Sequence, residues 1–190
     1  MKLILNFWRK LTTPSKAAVG TVLAMGFIGG IIFWGAFNMG MEATNTEEFC
    51  SACHAPIVKE LRETIHYSNR SGVRAICSDC HVPHNWTDKI VRKVQASNEI
   101  VAFLMGKIST QEKFEARRKH LAVREWQRMK ENDSQECRNC HNFEYMDFSE
   151  QGPRSRKQHS TALASGEKTC VDCHKGIAHQ LPDMSDVPGW

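Results

Sequence analysis

Apolar residues are spread unevenly along this chain. From Ala17 to Met41 there is no Asp, Glu, Lys, Arg or His, a run of 25 positions. A helix needs about 20 apolar residues to cross the hydrocarbon core of a bilayer, so the run predicts one membrane-spanning helix over residues 17–41. A cleaved export signal is the rival reading. Its apolar core would span only about 7–15 residues, and small residues would stand where Phe33, Trp34 and Phe37 crowd this chain. Further along, Ile90, Val91, Val94, Val101 and Leu104 recur at roughly helical spacing. Phe114, Leu121, Val123, Trp126 and Met129 suggest a second helix, amphipathic and heavily charged. The charge run there reads as a solvated face. Strand-like alternation is absent, so the pattern predicts a mainly α chain with much irregular structure. The tail after Leu181, with Pro182 and Pro188, is expected to be loose.

Charge sets the expected topology. Lys2, Arg9, Lys10 and Lys16 precede the apolar run without an acid. Glu42, Glu47 and Glu48 follow it, and the next base is Lys59. By the positive-inside rule residues 1–16 stay in the cytoplasm and residues 42–190 are exported. Trp8 and Trp34 suit the two interfaces. Gly26 and Gly30 form a GxxxG pair of the kind that lets two helices approach, which makes a homodimer one expectation; the same glycines also fit the ordinary composition of a membrane helix.

The cysteines carry the chemistry. All eight fall in four copies of Cys-x-x-Cys-His: Cys50, Cys53 and His54; Cys77, Cys80 and His81; Cys137, Cys140 and His141; Cys170, Cys173 and His174. Two thiols one helical turn apart can add to the two vinyl groups of a haem, and the adjacent imidazole then reaches the iron. Zinc sites and thiol redox sites also use Cys-x-x-Cys pairs, but neither requires the following histidine. At this chain's histidine frequency, four such placements by chance have a probability of about one in a hundred thousand. The pattern therefore predicts four covalently attached c-type haems, and no cysteine is left for a disulfide. Haem attachment of this kind belongs to an exported domain, in agreement with the charge asymmetry. The haems also change the charge count. The formal +4 omits two propionates per haem, roughly eight negative charges. No cluster of basic residues interleaved with aromatics is present, and nucleic acid is excluded as a partner.

An internal repeat nominates the second axial ligands. His66 lies 11 residues before Cys77, and His159 lies 11 before Cys170. His84 follows His81 by three residues, and His179 follows His174 by five. Each half reads motif, spacer, lone histidine, motif, lone histidine, as expected of a duplicated two-haem module covering about residues 50–86 and 137–181. His66, His84, His159 and His179 are the expected distal ligands, while His120 sits in a charged stretch and reads as a surface residue. Four haems in a small domain lie close enough for electrons to hop. A membrane anchor makes a lipid-soluble quinol the natural donor and a soluble periplasmic protein the natural acceptor. Quinol oxidation also releases protons, for which Asp88, Lys89, Arg92, Lys93 and Glu99 are on hand after the second motif.

The anchor, the four motifs and the segments His66-Tyr-Ser-Asn-Arg-Ser-Gly-Val-Arg-Ala, Cys77-Ser-Asp-Cys-His-Val-Pro-His84, Cys137-Arg-Asn-Cys-His-Asn-Phe-Glu-Tyr and Cys170-Val-Asp-Cys-His-Lys-Gly-Ile-Ala-His179 together resemble the NapC/NirT family. These are membrane-anchored tetrahaem quinol dehydrogenases of respiring bacteria, and the likeness covers nearly the whole chain. The resemblance implies the same four distal histidines. It also implies a quinol site near the first haem, with a Lys and an acid that match Lys93 and Glu99, 12 and 18 residues after His81. Family members often have Asp at the acidic position. Many carry Met two residues after the first motif histidine, and in some this Met ligates the first haem. Pro56 stands there in this chain, so His54 is the ligand or the iron has an open position. The implied function is oxidation of menaquinol or ubiquinol at the bacterial inner membrane and delivery of electrons to a periplasmic terminal reductase, foremost for nitrate, in anaerobic respiration. A nitrite or other reductase is the alternative acceptor, and a protein-to-protein shuttle the alternative role. A terminal reductase would need an open catalytic haem, and no Cys-x-x-Cys-Lys variant occurs. Relatives serving trimethylamine N-oxide reductase carry a further haem domain, whereas this chain stops at Trp190, so a different acceptor is expected.

Overall fold

The structure, a computed structural model, describes residues 2–14, 18–107 and 110–190. Lys16 and Ala17, at the start of the expected anchor, lie outside the described residues. The chain divides into two compact units, one ending at Ala43 and the other running from Thr44 to Trp190. Among the described residues there is no β-strand, as the absence of alternating patterns predicts.

The first unit holds two helices. α1 (Lys2–Thr12) was not expected from the sequence; Leu3, Ile4, Phe7 and Trp8 give it an exposed apolar surface, and Pro14 bars its continuation. α2 (Val19–Ala43) has 25 residues, none of them buried. At 1.5 Å per residue it exceeds the roughly 30 Å of a hydrocarbon core. Leu23, Phe27, Ile31, Ile32 and Trp34 stand exposed along it. That much apolar surface suits lipid better than water.

The second unit is built of short helices around a thin core. α3 (Glu47–Arg62) begins at Thr46, whose hydroxyl accepts from the Phe49 N–H at 3.2 Å. It bends at His54, where the backbone leaves helical geometry (φ −113°, ψ 32°), because Pro56 inside the helix removes an N–H and crowds the preceding turn. α4 (Cys77–His81) and α9 (Cys170–Cys173) are single turns with one shared device. The aspartate inside each motif turns back to its own helix start: Asp79 accepts from the Ile76 N–H at 2.8 Å and Asp172 from the Thr169 N–H at 2.9 Å. α5 (Trp86–Leu104) and α6 (Gln111–Glu131) are the two longer helices predicted between the modules. α7 (Gln135–Arg138) carries the third motif's start, and α8 (Pro153–Gln158) runs into a short π-helical turn, His159–Leu163.

Among the described residues Val58, Leu61, Phe114, Trp126 and Met184 are buried apolar side chains, and Pro83 is buried as well. Ionic contacts also tie the elements together. Glu47 is buried between Arg62, at 2.8 Å, and Arg74. The Arg62 hydrogen bond and the Arg74 charge outweigh the opposing effect of burial and hold its carboxyl below the usual range. Arg118 on α6 bonds Glu60 on α3 at 2.5 Å. The tail is not loose, contrary to expectation. Met184 is buried, Asp186 pairs with Lys119, and Trp190 meets Trp126 edge-on at 5.2 Å with Lys175 above it at 4.1 Å. Aromatic and charged anchors on the last seven residues offset the two prolines.

Ser134 joins the two ends of this unit. It is fully buried, and with Asp133 it reverses the chain between α6 and α7 through consecutive left-handed residues (φ 52° and 55°). Its hydroxyl oxygen accepts from Thr169 Oγ1 at 2.8 Å and from the Val171 N–H at 3.1 Å, which fixes the fourth motif against the third. Ser134→Ala strips both donors of their acceptor in a dry site, and a loss of about 1–3 kcal/mol is expected. Chemical unfolding of the detergent-solubilised full-length protein checks it; an unchanged midpoint would show that the contact carries no stability.

Candidate haem sites

The short helices bring the attachment motifs into succession. α3 packs on α4, α4 on α7, and α9 lies against α6. The Cys50 thiol is hydrogen-bonded to Cys77, which pulls it down to about 7, opposed by burial and helped by the nearby Lys93 charge. The same contact pushes Cys77 up. Burial, and then the neighbouring Cys137, raise Cys80 to about 12; burial, and then Cys170, raise Cys137 to about 11. Motif one therefore adjoins two, two adjoins three, and three adjoins four. All eight cysteines are free of disulfides.

Three of the four lone histidines nominated by the repeat face a motif histidine. The ring centroids of His66 and His141 are 6.3 Å apart, those of His81 and His179 are 6.1 Å apart, and those of His159 and His174 are 6.0 Å apart. The ring planes are 79°, 20° and 30° apart in these three pairs. The centroid separation is the spacing that one metal atom would set: two metal–nitrogen bonds of roughly 2 Å plus roughly 1 Å from each nitrogen to its ring centre. The residues thus fit an iron held between paired imidazoles. Nδ1 of His66 and of His179 are buried without a hydrogen-bond partner. Burial, with His81 beside it, brings His179 down to about 4, so its ring is neutral at neutral pH and its lone pair is open to a metal. Two of the three pairs cross between the repeated halves; only His159–His174 stays within one. No cage of three or more His, Cys, Asp or Glu side chains exists among the described residues. Axial pairs, not a protein-only metal cage, are what the fold provides.

Several neighbours hold these rings. Gly176 (φ +69°) makes the turn from His174 toward His179, and a Cβ there would meet Leu181 Cγ at 3.0 Å. Gln180, next to His179, is clamped from both sides: its N–H donates to Glu60 Oε2 at 2.7 Å, and its carbonyl accepts from Arg118 Nη1 at 3.0 Å. His81 Nδ1 lies 2.8 Å from Glu125 Oε1, and His159 Nδ1 lies 2.6 Å from Gln151 Oε1. Burial opposes the Glu125 charge, but His81 and Arg128 outweigh it and hold the carboxyl well below the usual range.

Sequence reasoning missed Glu60, Arg118, Glu125 and Gln151. The Glu115/Arg118 and Glu125/Arg128 pairs were visible three residues apart, but that spacing also describes a solvated helix. Here the Arg118 side chain is only 11% exposed, which makes this part of the charge run internal structure. His120 is exposed, as read.

The first motif differs from the others. His54 faces a carboxylate, with Nε2 3.4 Å from Glu99 Oε2. The His54 hydrogen bond lowers the Glu99 carboxyl most; burial opposes it and Arg92, at 3.2 Å, adds to it. Lys93 donates to Thr44 Oγ1 at 2.7 Å and to the Thr44 carbonyl at 3.0 Å. Lys93 and Glu99 therefore both border the first motif. His84 stands exposed, and no ring contact joins it to a motif histidine among the described residues.

Known proteins match this chain along almost its whole length. The family model described as "NapC/NirT cytochrome c family, N-terminal region" matches residues 12–184. The cytochrome c-type protein NapC of Escherichia coli K12 is 55% identical over 192 residues, which cover 99% of this chain and 96% of that protein. NapC of Paracoccus pantotrophus is 57% identical, covering 97% of this chain and 80% of its own. The denitrification system component NirT of Stutzerimonas stutzeri is 54% identical, covering 91% and 88%. No solved structure gives a match. Identity at this level across almost the entire length leaves one assignment: the chain belongs to the NapC/NirT family of membrane-anchored c-type cytochromes.

Proposed function

We propose that this chain is a tetrahaem quinol dehydrogenase that passes electrons to a periplasmic terminal reductase. The observation that carries the reading is the set of three imidazole pairs at 6.0–6.3 Å beside an ordered succession of four attachment motifs. In this reading His54, His81, His141 and His174 are proximal ligands, and His66, His159 and His179 are distal ligands to His141, His174 and His81. Haem supplies a one-electron redox centre at each motif. The charge flanking α2 supports a cytoplasmic N-terminus and an exported haem unit.

The quinol site is proposed at the first motif. The Lys93 ammonium is placed to hydrogen-bond a quinol oxygen. Glu99, held by Arg92 at 3.2 Å, is placed to accept a proton as the quinol is oxidised. The two electrons leave one at a time through the adjoining motifs, and the two protons leave through Glu99 and solvent. The Escherichia and Paracoccus relatives carry the name NapC, and the Stutzerimonas relative is named for a denitrification system. These names favour a nitrate reductase as acceptor, with a nitrite reductase as the alternative.

Two predictions test the reading. His66→Ala, His159→Ala and His179→Ala each convert one haem from low to high spin in electron paramagnetic resonance, whereas His120→Ala changes none. High-spin signals from His120→Ala, or none from the other three, would overturn the ligand assignment. His84→Ala reads out the first motif: a spin change there gives His84 to that haem, and no change leaves Glu99 as the group at its open side.

The second prediction concerns quinol. In the detergent-solubilised protein a menaquinol or ubiquinol analogue reduces the haems, followed by absorbance, and Lys93→Ala slows this by at least about tenfold, or about 1.4 kcal/mol in the barrier. The preferred analogue identifies the pool. Failure of both quinols to reduce any haem would make another protein the donor and leave the membrane helix a docking role.

A further inference from the structure

The three imidazole pairs differ in what stands behind the rings. His81 Nδ1 meets the carboxylate of Glu125 at 2.8 Å. His159 Nδ1 meets the neutral amide oxygen of Gln151 at 2.6 Å. Nδ1 of His66 and His179 is buried with no partner. Glu125 is itself fixed in place. Arg128 donates to it through Nε at 3.0 Å and Nη2 at 2.7 Å. Arg128 also donates to Glu136 Oε1 at 2.7 Å and to the Cys80 carbonyl at 3.2 Å. The Glu136 side chain is 1% exposed and receives two further bonds from Asn132, at 3.1 and 2.9 Å. The network thus runs from the second motif, through α6, to the residue before Cys137.

A carboxylate behind a ligating imidazole has two effects. It accepts the Nδ1 proton, which leaves the Nε2 lone pair free for the metal and fixes the plane of the ring. It also pushes negative charge onto the ring, which makes the imidazole a stronger donor and favours the oxidised iron over the reduced iron. A neutral amide gives the first effect with little of the second. We infer that Glu125 is a positioning residue that tunes the haem of the second motif through His81, making it the lowest in reduction potential of the three imidazole-paired haems, with Gln151 as the weaker counterpart behind His159. The inference rests on the axial-ligand reading above. Glu125 touches no haem; it acts only through the imidazole.

The test uses full-length protein loaded with haem, in redox titrations followed by absorbance and by the low-spin electron paramagnetic resonance signals of the separate haems. Glu125→Gln keeps an oxygen acceptor behind His81 but removes its charge. The expected result is a shift of at least tenfold toward the reduced form in one haem only, which for one electron is 59 mV upward. Gln151→Glu is the converse variant and leaves the Arg128 network untouched; it is expected to lower the haem held by His159 and His174 by a similar factor. A purely structural role would scatter or broaden the signals without raising the second motif's haem in one variant and lowering the His159–His174 haem in the other.

The outcomes separate the two readings. Unmodified protein without three low-spin bis-imidazole signals would overturn the ligand assignment itself. If those signals are present and neither variant moves a potential, the tuning role of Glu125 is overturned while the ligand assignment stands. Should Glu125→Gln fail to incorporate haem, an unmoved potential in Gln151→Glu overturns it alone.

Discussion

Two imidazole rings whose centres lie about 6 Å apart make only a loose ring contact, yet this fold holds three such pairs in place. The rest of the unit from Thr44 to Trp190 answers to that constraint. Few apolar side chains are buried among its described residues, and haems held at the four motifs would supply much of the interior. Backbone reversals and ion pairs hold the rings as well. Ser134 locks the fourth motif to the third, Gly176 turns the chain toward His179, and Glu60 with Arg118 clamps the residue beside it. Such half-buried ion pairs add little net stability, because desolvation offsets most of the attraction. Their contribution is to position: removing one partner leaves a charge stranded and lets the ring behind it drift.

α6 shows how this works along one element. Arg118 and Glu125 are seven residues apart, two helical turns, and so share a face. Through Gln180 the first holds His179, and directly the second holds His81, so a single helix grips both members of one pair from behind. Trp126 on the same helix receives the C-terminal Trp190, and Lys130 reaches Asp172 inside the fourth motif at 3.1 Å.

What the sequence made legible was what covalent chemistry and solvent impose locally. A thiol pair must be one turn apart and its histidine next to it, so the attachment motifs announce themselves. A bilayer excludes charge over a fixed thickness, so the apolar run does too. The repeat carried the search as far as His66, His159 and His179, each of which faces a motif histidine, and to His84, which stands exposed. Pairing was not legible, because two of three pairs cross between the repeated halves and depend on how α4, α7 and α9 assemble. The bend at His54 follows from Pro56, whose presence was plain but whose effect on the ring was not. Glu125 and Arg118 were hidden for a different reason: an acid and a base three residues apart look the same on a solvated helix as on one turned inward. The tail misled because two prolines outweighed a terminal tryptophan that had a partner waiting.

The unequal surroundings of the four motifs bear on the direction of electron flow. On the quinol reading proposed above, protons would be released where Glu99, Arg92 and Lys93 gather, whereas the acid–base groups beside His81 and His179 brace the rings. If the second motif's haem sits lowest among the paired haems, an electron leaving the quinol site meets its steepest step early and then runs downhill to the third and fourth. Each tenfold penalty at that step is 59 mV. The same step slows the return of an electron that has reached the far motifs, so the site of quinol chemistry is shielded from the acceptor side. The carboxylate behind His81 would then set the resting distribution of electrons along the chain without touching either the donor or the acceptor.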